Sequence, residues 1–224
     1  MRKLQKGAPP GVLALNAERW KDELVNAKAA GYDPTPTQKS RYRNSAIKDA
    51  LIAETLGKCA YCETKALHSQ HGDIEHIIPK SKRPELSFDW LNLTLACRLC
   101  NGNKSDFYNG NVDEDVINPY ETDPSECFVF FAERIVPLPN SPIGYVTIDK
   151  LSLDRPELVE DIRDRIDSLR GMMLAYESAA SAAMKDIILN DIRERYLSDN
   201  CEYVTYMRKF FEVCWRGAKP AAVV

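Results

Sequence analysis

Apolar residues in this chain recur mainly at three- and four-residue steps, the period of helices that bury one face. Leu13 to Ala30 carries such a pattern. Gly31-Tyr32-Asp33-Pro34-Thr35-Pro36 breaks it, because two prolines and a glycine do not continue a helix. A second helix is predicted from Gln38 to Leu56, with Ile47, Leu51, Ile52 and Leu56 on one face and Gly57 as its stop. The period changes over Gly72 to Lys80, where apolar and polar residues alternate as in a strand. Phe128 to Val136 reads as a short hairpin, and Pro137 to Gly144 as a loop rich in Pro, Asn and Ser. Beyond it, Leu158, Ile162, Ile166, Leu169, Met173 and Tyr176 form one helical stripe, with Asp154 as the N-cap and Pro156 in the first turn. Two more helices are expected near Ala182–Leu197 and Glu202–Arg216, and Ala218 to Val224 reads as a fraying end.

Composition changes this picture little. The 224 residues are 44% hydrophobic and 28% charged, ordinary for a globular protein, and no apolar run is long enough to span a bilayer. The first eleven residues are basic but lack the apolar stretch of a signal peptide, so a cytoplasmic protein without membrane attachment is expected. Charge is more informative in its distribution than in its net value of −3. Residues 1–58 hold 11 Lys/Arg against 6 Asp/Glu, whereas residues 110–224 hold 13 against 21. A phosphate backbone is attracted to the first region and repelled by the last. Three blocks are expected: a helical basic arm over 1–58, a compact chemical module over 59–108, and a hairpin with helices over 109–224.

Four of the seven cysteines form two CxxC pairs, Cys59/Cys62 and Cys97/Cys100, with 34 residues between them. In a reducing compartment two such turns complete a tetrahedral Zn²⁺ site, in preference to disulfides. Four thiolates fill the coordination sphere, so this zinc is expected to be structural. His68 or His71 is a weaker alternative ligand. Cys127, Cys201 and Cys214 have no partner spacing and read as small packing residues.

Between the pairs, the alternating segment holds Asp73, Glu75 and His76 ahead of Pro79 and Lys80. A carboxylate is a hard ligand suited to Mg²⁺, and a neutral imidazole beside that ion can take a proton from water. A lone Glu-His pair is usually a surface acid and a structural histidine. Here it is followed by Asn92, an apolar run, the second CxxC pair and Asn101-Gly102-Asn103-Lys104-Ser105-Asp106. In that order the sequence resembles the HNH, or ββα-metal, endonucleases. Asn101 stands where most of the family has His, as in the HNH domain of the RNA-guided CRISPR nuclease.

The resemblance implies roles for these residues. His76 is the general base that activates water, and Glu75 and Asn101 hold one catalytic Mg²⁺ or Mn²⁺. Asp73 is a further or water-mediated ligand. Asn92 ties its loop to the backbone and so holds the histidine strand. Lys104, Lys80, Arg41 and Arg43 are weaker contacts to nucleic acid. A helix starting near Asn101 aims its N-terminus at the phosphate.

A narrower resemblance rests on Lys6, Pro9-Pro10, Gly57-Lys58-Cys59-Ala60-Tyr61-Cys62-Glu63, Ile74 to Lys80, Asn118-Pro119-Tyr120, Asp123-Pro124 and Leu151-Ser152-Leu153-Asp154. These are similar to the PtuB-like HNH nucleases of Septu and retron anti-phage defence systems. That implies a DNA-cutting effector working with a PtuA-like ATPase. The alternatives are a zinc-knuckle module that only binds nucleic acid or protein, and a toxin-like RNase. The fold class expected is mainly α with a small ββα-metal core, a structural Cys₄ zinc and a C-terminal helical bundle.

Overall fold

The computed structural model describes residues 1–66 and 72–215, so the expectations for His68, His71 and the extreme C-terminus lie outside the described residues. Helix α1, Gly11–Ala29, buries Leu13, Trp20 and Leu24, seven and four residues apart on one face. The single helix expected over Gln38–Leu56 is instead broken in two. Helix α2, Pro36–Ser40, starts on a capping box in which the Thr35 side chain accepts from Gln38 N and the Gln38 side chain accepts from Thr35 N. A 3₁₀ turn follows at Arg41–Arg43, and α3 starts afresh at Ser45–Thr55. The cause is Asn44, whose extended backbone and side-chain bond from Ala46 N, 2.9 Å, make it the N-cap of α3. The break buries Tyr42 inside the fold. Helix α3 stops at Leu56, left-handed at φ 56°, one residue before Gly57; Gly57 N closes on Ile52 O at 2.8 Å.

Strands β1, Asp73–His76, and β2, Leu93–Ala96, pair antiparallel with Glu75 opposite Thr94 and His76 opposite Leu93. Helix α4, Arg98–Lys104, packs on β1. These three elements form a ββα unit. A second hairpin, β3 (Phe128–Phe131) and β4 (Arg134–Pro137), turns at Ala132, φ 49°. The loop expected over Pro137–Gly144 gives way to helix α5, Pro142–Leu151. Ser141 caps it, accepting from Gly144 N at 3.2 Å, and Pro142 starts it. Gly144 is needed there, because a Cβ would lie 2.8 Å from Cys127 O. Helix α6, Pro156–Ser178, buries Leu158, Ile162, Ile166, Leu169 and Met173; its N-cap is Arg155, not Asp154. Helix α7, Ala182–Ile192, runs into a π turn at Arg193–Leu197, and α8 spans Val204–Cys214. Among the described residues no helix is long and apolar enough to cross a membrane.

Two apolar clusters flank the ββα unit. One joins α1 and α3 to β2 through Leu13, Trp20, Ile47, Leu51, Trp90 and Leu93. The other runs from the cysteines through Ile117, Phe128 and Leu151 to Ile162, Met207 and Phe211. Each fully buried Leu or Ile contributes on the order of 1.5–3 kcal/mol, so the module is held from both sides. Polar ties add direction. Lys6 Nζ donates to Leu93 O at 2.6 Å and lies 3.9 Å over the Trp90 ring. Trp90 Nε1 donates to Gly7 O at 2.8 Å. On the other side the buried Lys58 donates to Cys201 O at 2.9 Å.

Candidate functional site

The two CxxC turns meet in space. One sulfur from each of Cys59, Cys62, Cys97 and Cys100 lies within 4.8 Å of the other three, and all four residues are buried. A Zn–S bond of about 2.3 Å sets sulfurs of a regular tetrahedron roughly 3.8 Å apart, and Cys62 Sγ and Cys97 Sγ are 3.7 Å apart. The residues therefore fit a structural zinc. The thiols already share protons unevenly: hydrogen bonding from Cys100 foremost holds Cys62 and Cys97 below the usual thiol range, while burial pushes Cys59 up. Arg155 brings its guanidinium to 3.9 Å from Cys100 Sγ. Burial opposes its charge, but the nearby cysteine sulfurs more than offset this. Four thiolates around Zn²⁺ leave two negative charges, and Arg155 faces them.

Helix α4 starts at this cluster. Cys97 is its N-cap and accepts from Cys100 N at 3.4 Å. The helix N-terminus expected to face a phosphate near Asn101 thus belongs to the zinc turn, because Asn101 is the fourth residue of the helix.

Beyond the cluster, Glu75, His76, Asn101, Tyr42 and Lys80 line one cleft. His76 ends β1, and its Nε2 lies 3.1 Å from Ser87 O. A carbonyl only accepts, so Nε2 carries the proton and Nδ1 keeps a free lone pair. Burial, with the Lys80 and Lys104 charges adding, lowers the His76 pKa to about 4, so the ring is neutral at pH 7. Glu75 is buried and its carboxyl is pushed up by burial, against the pull of Lys104. Lys104 Nζ stands 2.7 Å from Glu75 Oε1. The two form an ion pair closed off from solvent, and the ammonium offsets the burial of the carboxylate. A buried carboxylate and an amide side chain lining one cleft offer the oxygen ligands that a hard divalent cation takes. Glu75 and Asn101 therefore fit Mg²⁺ or Mn²⁺.

Asn92 lies outside the cleft and clamps its floor. Its Oδ1 accepts from Ile78 N at 2.7 Å, and its Nδ2 donates to Ile78 O at 2.9 Å and Leu86 O at 3.2 Å. Ile77 N adds a bond to Asn92 O at 2.9 Å. The segment after His76 is thereby fixed to the loop that carries Ser87. A larger apolar cleft behind Asn92, lined by Ile77, Ile78 and Val112, holds neither the imidazole nor Glu75.

Other sequence-derived contacts are placed differently. Lys104 is not a surface contact to nucleic acid: it is 1% exposed, paired to Glu75, and donates to His76 O at 3.0 Å. A cation pays for burial of that kind only by pairing, which turns it inward. Asp73 is not at the cleft. It opens β1 opposite Ala96, exposed, one strand repeat from Glu75. Arg41 is ion-paired with Glu23 and lies over Trp20, so its charge is largely neutralised. Arg43 and Lys80 are exposed and meet at the hydroxyl of Tyr42. Ser87, Arg155 and Tyr42 carry no motif that marks their parts in these sites. Ser87 acts through a backbone carbonyl, which any residue possesses. Arg155 and Tyr42 come from outside the cysteine-bounded segment.

Residues 59–107 match the family model of the HNH endonucleases. The chain is 36% identical over 86 residues to Septu protein PtuB of Bacillus thuringiensis, covering 38% of this chain and 33% of that protein. It is 28% identical over 193 residues to Septu protein PtuB of Bacillus mycoides (strain KBAB4), covering 72% of this chain and 65% of that protein. The chain thus spans between one third and just under two thirds of the length of these relatives, which it resembles around an HNH-family module.

Proposed function

From an HNH-family module set in a PtuB-like frame, we propose a metal-dependent endonuclease that hydrolyses DNA phosphodiester bonds. One observation carries the reading: a neutral, hydrogen-bonded imidazole shares a cleft with the buried Glu75 carboxylate and with Asn101. His76 takes a proton from water through Nδ1 while Ser87 O holds Nε2. The water oxygen bonds to phosphorus, the P–O3′ bond breaks, and the departing oxygen takes a proton from solvent. Glu75 and Asn101 would hold Mg²⁺ or Mn²⁺, which would supply positive charge at the scissile phosphate. Lys104 holds the Glu75 carboxylate and ties it to the His76 backbone. Asn92 keeps the histidine segment in register, and the zinc keeps the two halves of the module together. Arg43 and Lys80 meet the phosphate backbone.

By the same resemblance the chain is the effector of a Septu-type anti-phage system, acting in the cytoplasm with a PtuA-like ATPase. The deciding experiment is plasmid nicking with Mg²⁺ or Mn²⁺ by the parent and His76→Ala. Loss of cleavage by about 10²–10⁴-fold, with fold and zinc retained, is expected. Equal cutting by His76→Ala overturns His76 as the base, a parent that leaves the plasmid intact overturns the nuclease reading, and equal cutting of RNA and DNA moves it to a general nuclease.

A further inference from the structure

Tyr42 stands in the 3₁₀ turn Arg41–Arg43, outside the segment that matches the HNH family, yet it walls the same cleft as His76. It is 5% exposed. Its ring meets the His76 ring edge-on, with centroids 4.6 Å apart and planes at 78°. One hydrogen bond, to Ser87 O, fixes a single point of the imidazole, and the last torsion of a histidine is intrinsically broad. An edge-on aromatic neighbour narrows that torsion by contact. At its other end the phenol oxygen accepts from Lys80 Nζ at 2.7 Å and from Arg43 Nε at 3.3 Å. A phenol oxygen offers two acceptor sites, and both are thereby used. Lys80 Nζ also lies 4.3 Å from the centre of the Tyr42 ring. Each cation gives Tyr42 one donor and keeps the others: two on the ammonium and four on the guanidinium, from their usual sets of about three and five.

We propose that Tyr42 is a positioning residue, whose ring holds the His76 imidazole in plane and whose hydroxyl gathers Lys80 and Arg43 into an anion-binding corner. The inference rests on the nuclease reading and adds that the module needs a wall from the N-terminal block. The corner takes a phosphodiester oxygen flanking the bond that is cut.

Steady-state cleavage of duplex DNA in Mg²⁺ separates the two parts. Tyr42→Phe keeps the ring and is expected to raise KM about tenfold with kcat nearly unchanged, the scale of a lost charge-assisted hydrogen bond. Tyr42→Leu removes the ring and is expected to lower kcat by more than about tenfold, the scale of a misplaced catalytic group. The chain has three histidines, so ¹⁵N ring spectra resolve His76 without reference to activity. The Nε2–H tautomer is expected in the parent and in Tyr42→Phe, and a mixture in Tyr42→Leu. A kcat near the parent's in Tyr42→Leu, or an unchanged tautomer, overturns the role of the ring. An unchanged KM in Tyr42→Phe overturns the role of the hydroxyl. If Tyr42→Leu fails to retain zinc and fold, Lys80→Met alone and with Tyr42→Phe decides: non-additive effects on KM support the corner, and additive effects overturn it. The parent in the same assay keeps the two readings apart, because its failure to cut removes the nuclease reading while the ring spectra still judge Tyr42.

Discussion

The two polar centres of the module lie at opposite ends of helix α4 and are built on opposite rules. At the N-terminal end four sulfurs close on one point, and a guanidinium faces their charge. At the C-terminal end Lys104 reaches into a cleft and pairs with the buried Glu75 carboxylate. The first centre is complete when one ion of fixed geometry enters, which is what a structural site requires. The second is closed by a single ion pair, which a cation entering the cleft would have to displace. A single seven-residue helix thus couples a rigid end to an open one. The sulfur end provides the fixed frame against which small displacements at the other end matter.

The comparison breaks most severely at the sulfur end. Removing the zinc with a strong chelator, or replacing Cys59 or Cys100 with Ala, is expected to unfold the module, because metal binding and folding are one equilibrium there. Structural zinc is worth on the order of 10–16 kcal/mol in small zinc modules, comparable to the whole stability of a typical domain. Metal analysis of the purified chain should give one zinc per chain, and circular dichroism should follow its release. A chelated protein that keeps its cooperative melt would show that the cysteines only pack.

The open end responds less and in two directions. Lys104→Met removes the charge facing Glu75 and leaves a buried carboxylate alone, which destabilises by roughly 3–5 kcal/mol. Added Mg²⁺ should then raise the melting temperature far more in the variant than in the parent, since the ion no longer competes with an internal ammonium. Calorimetric titration should show tighter Mg²⁺ binding by the variant. Equal Mg²⁺ responses would mean that Glu75 does not hold the ion.

How much of this was legible in the residues follows the same division. The sulfur site is readable because thiolate chemistry demands the CxxC spacing itself. Glu75 and His76 stand out only through the order of motifs that resembles the HNH nucleases, since strand alternation by itself puts neighbours on opposite faces. The wall of the cleft is not, because Tyr42 reaches His76 only after Asn44 interrupts a helical pattern that otherwise runs through it. Ser-, Thr- and Asn-capped breaks of this kind keep the apolar period on both sides, so periodicity passes over them. Helix α5 was hidden for a related reason: its cap and first residue, Ser141 and Pro142, are also loop residues by composition. The direction of Lys104 is invisible in sequence, since an isolated lysine belongs at the surface and only a buried partner reverses that.

The smallest effect distinguishes a buried imidazole from a solvated one. Unfolded histidine takes up a proton below about pH 6.5, whereas His76 in the folded chain does so only near pH 4. Between those values the unfolded state binds more protons, so stability falls as the pH is lowered and the loss is complete near pH 4. At about 1.4 kcal/mol for each pH unit the total is roughly 3 kcal/mol. Glu75 opposes it, because burial raises its carboxyl and protonation then favours the folded chain. The His76 contribution is therefore read as a difference between urea melts of the parent and His76→Gln across pH 4 to 7. The stability of the parent relative to the variant should fall steadily as pH drops from 6.5 and level off near 4, and the acid limb of kcat should lie close to pH 4. A flat difference, with an acid limb at pH 6.5, would place the imidazole in open water and erase the contrast between the closed sulfur end and a dry, shaped cleft at the other.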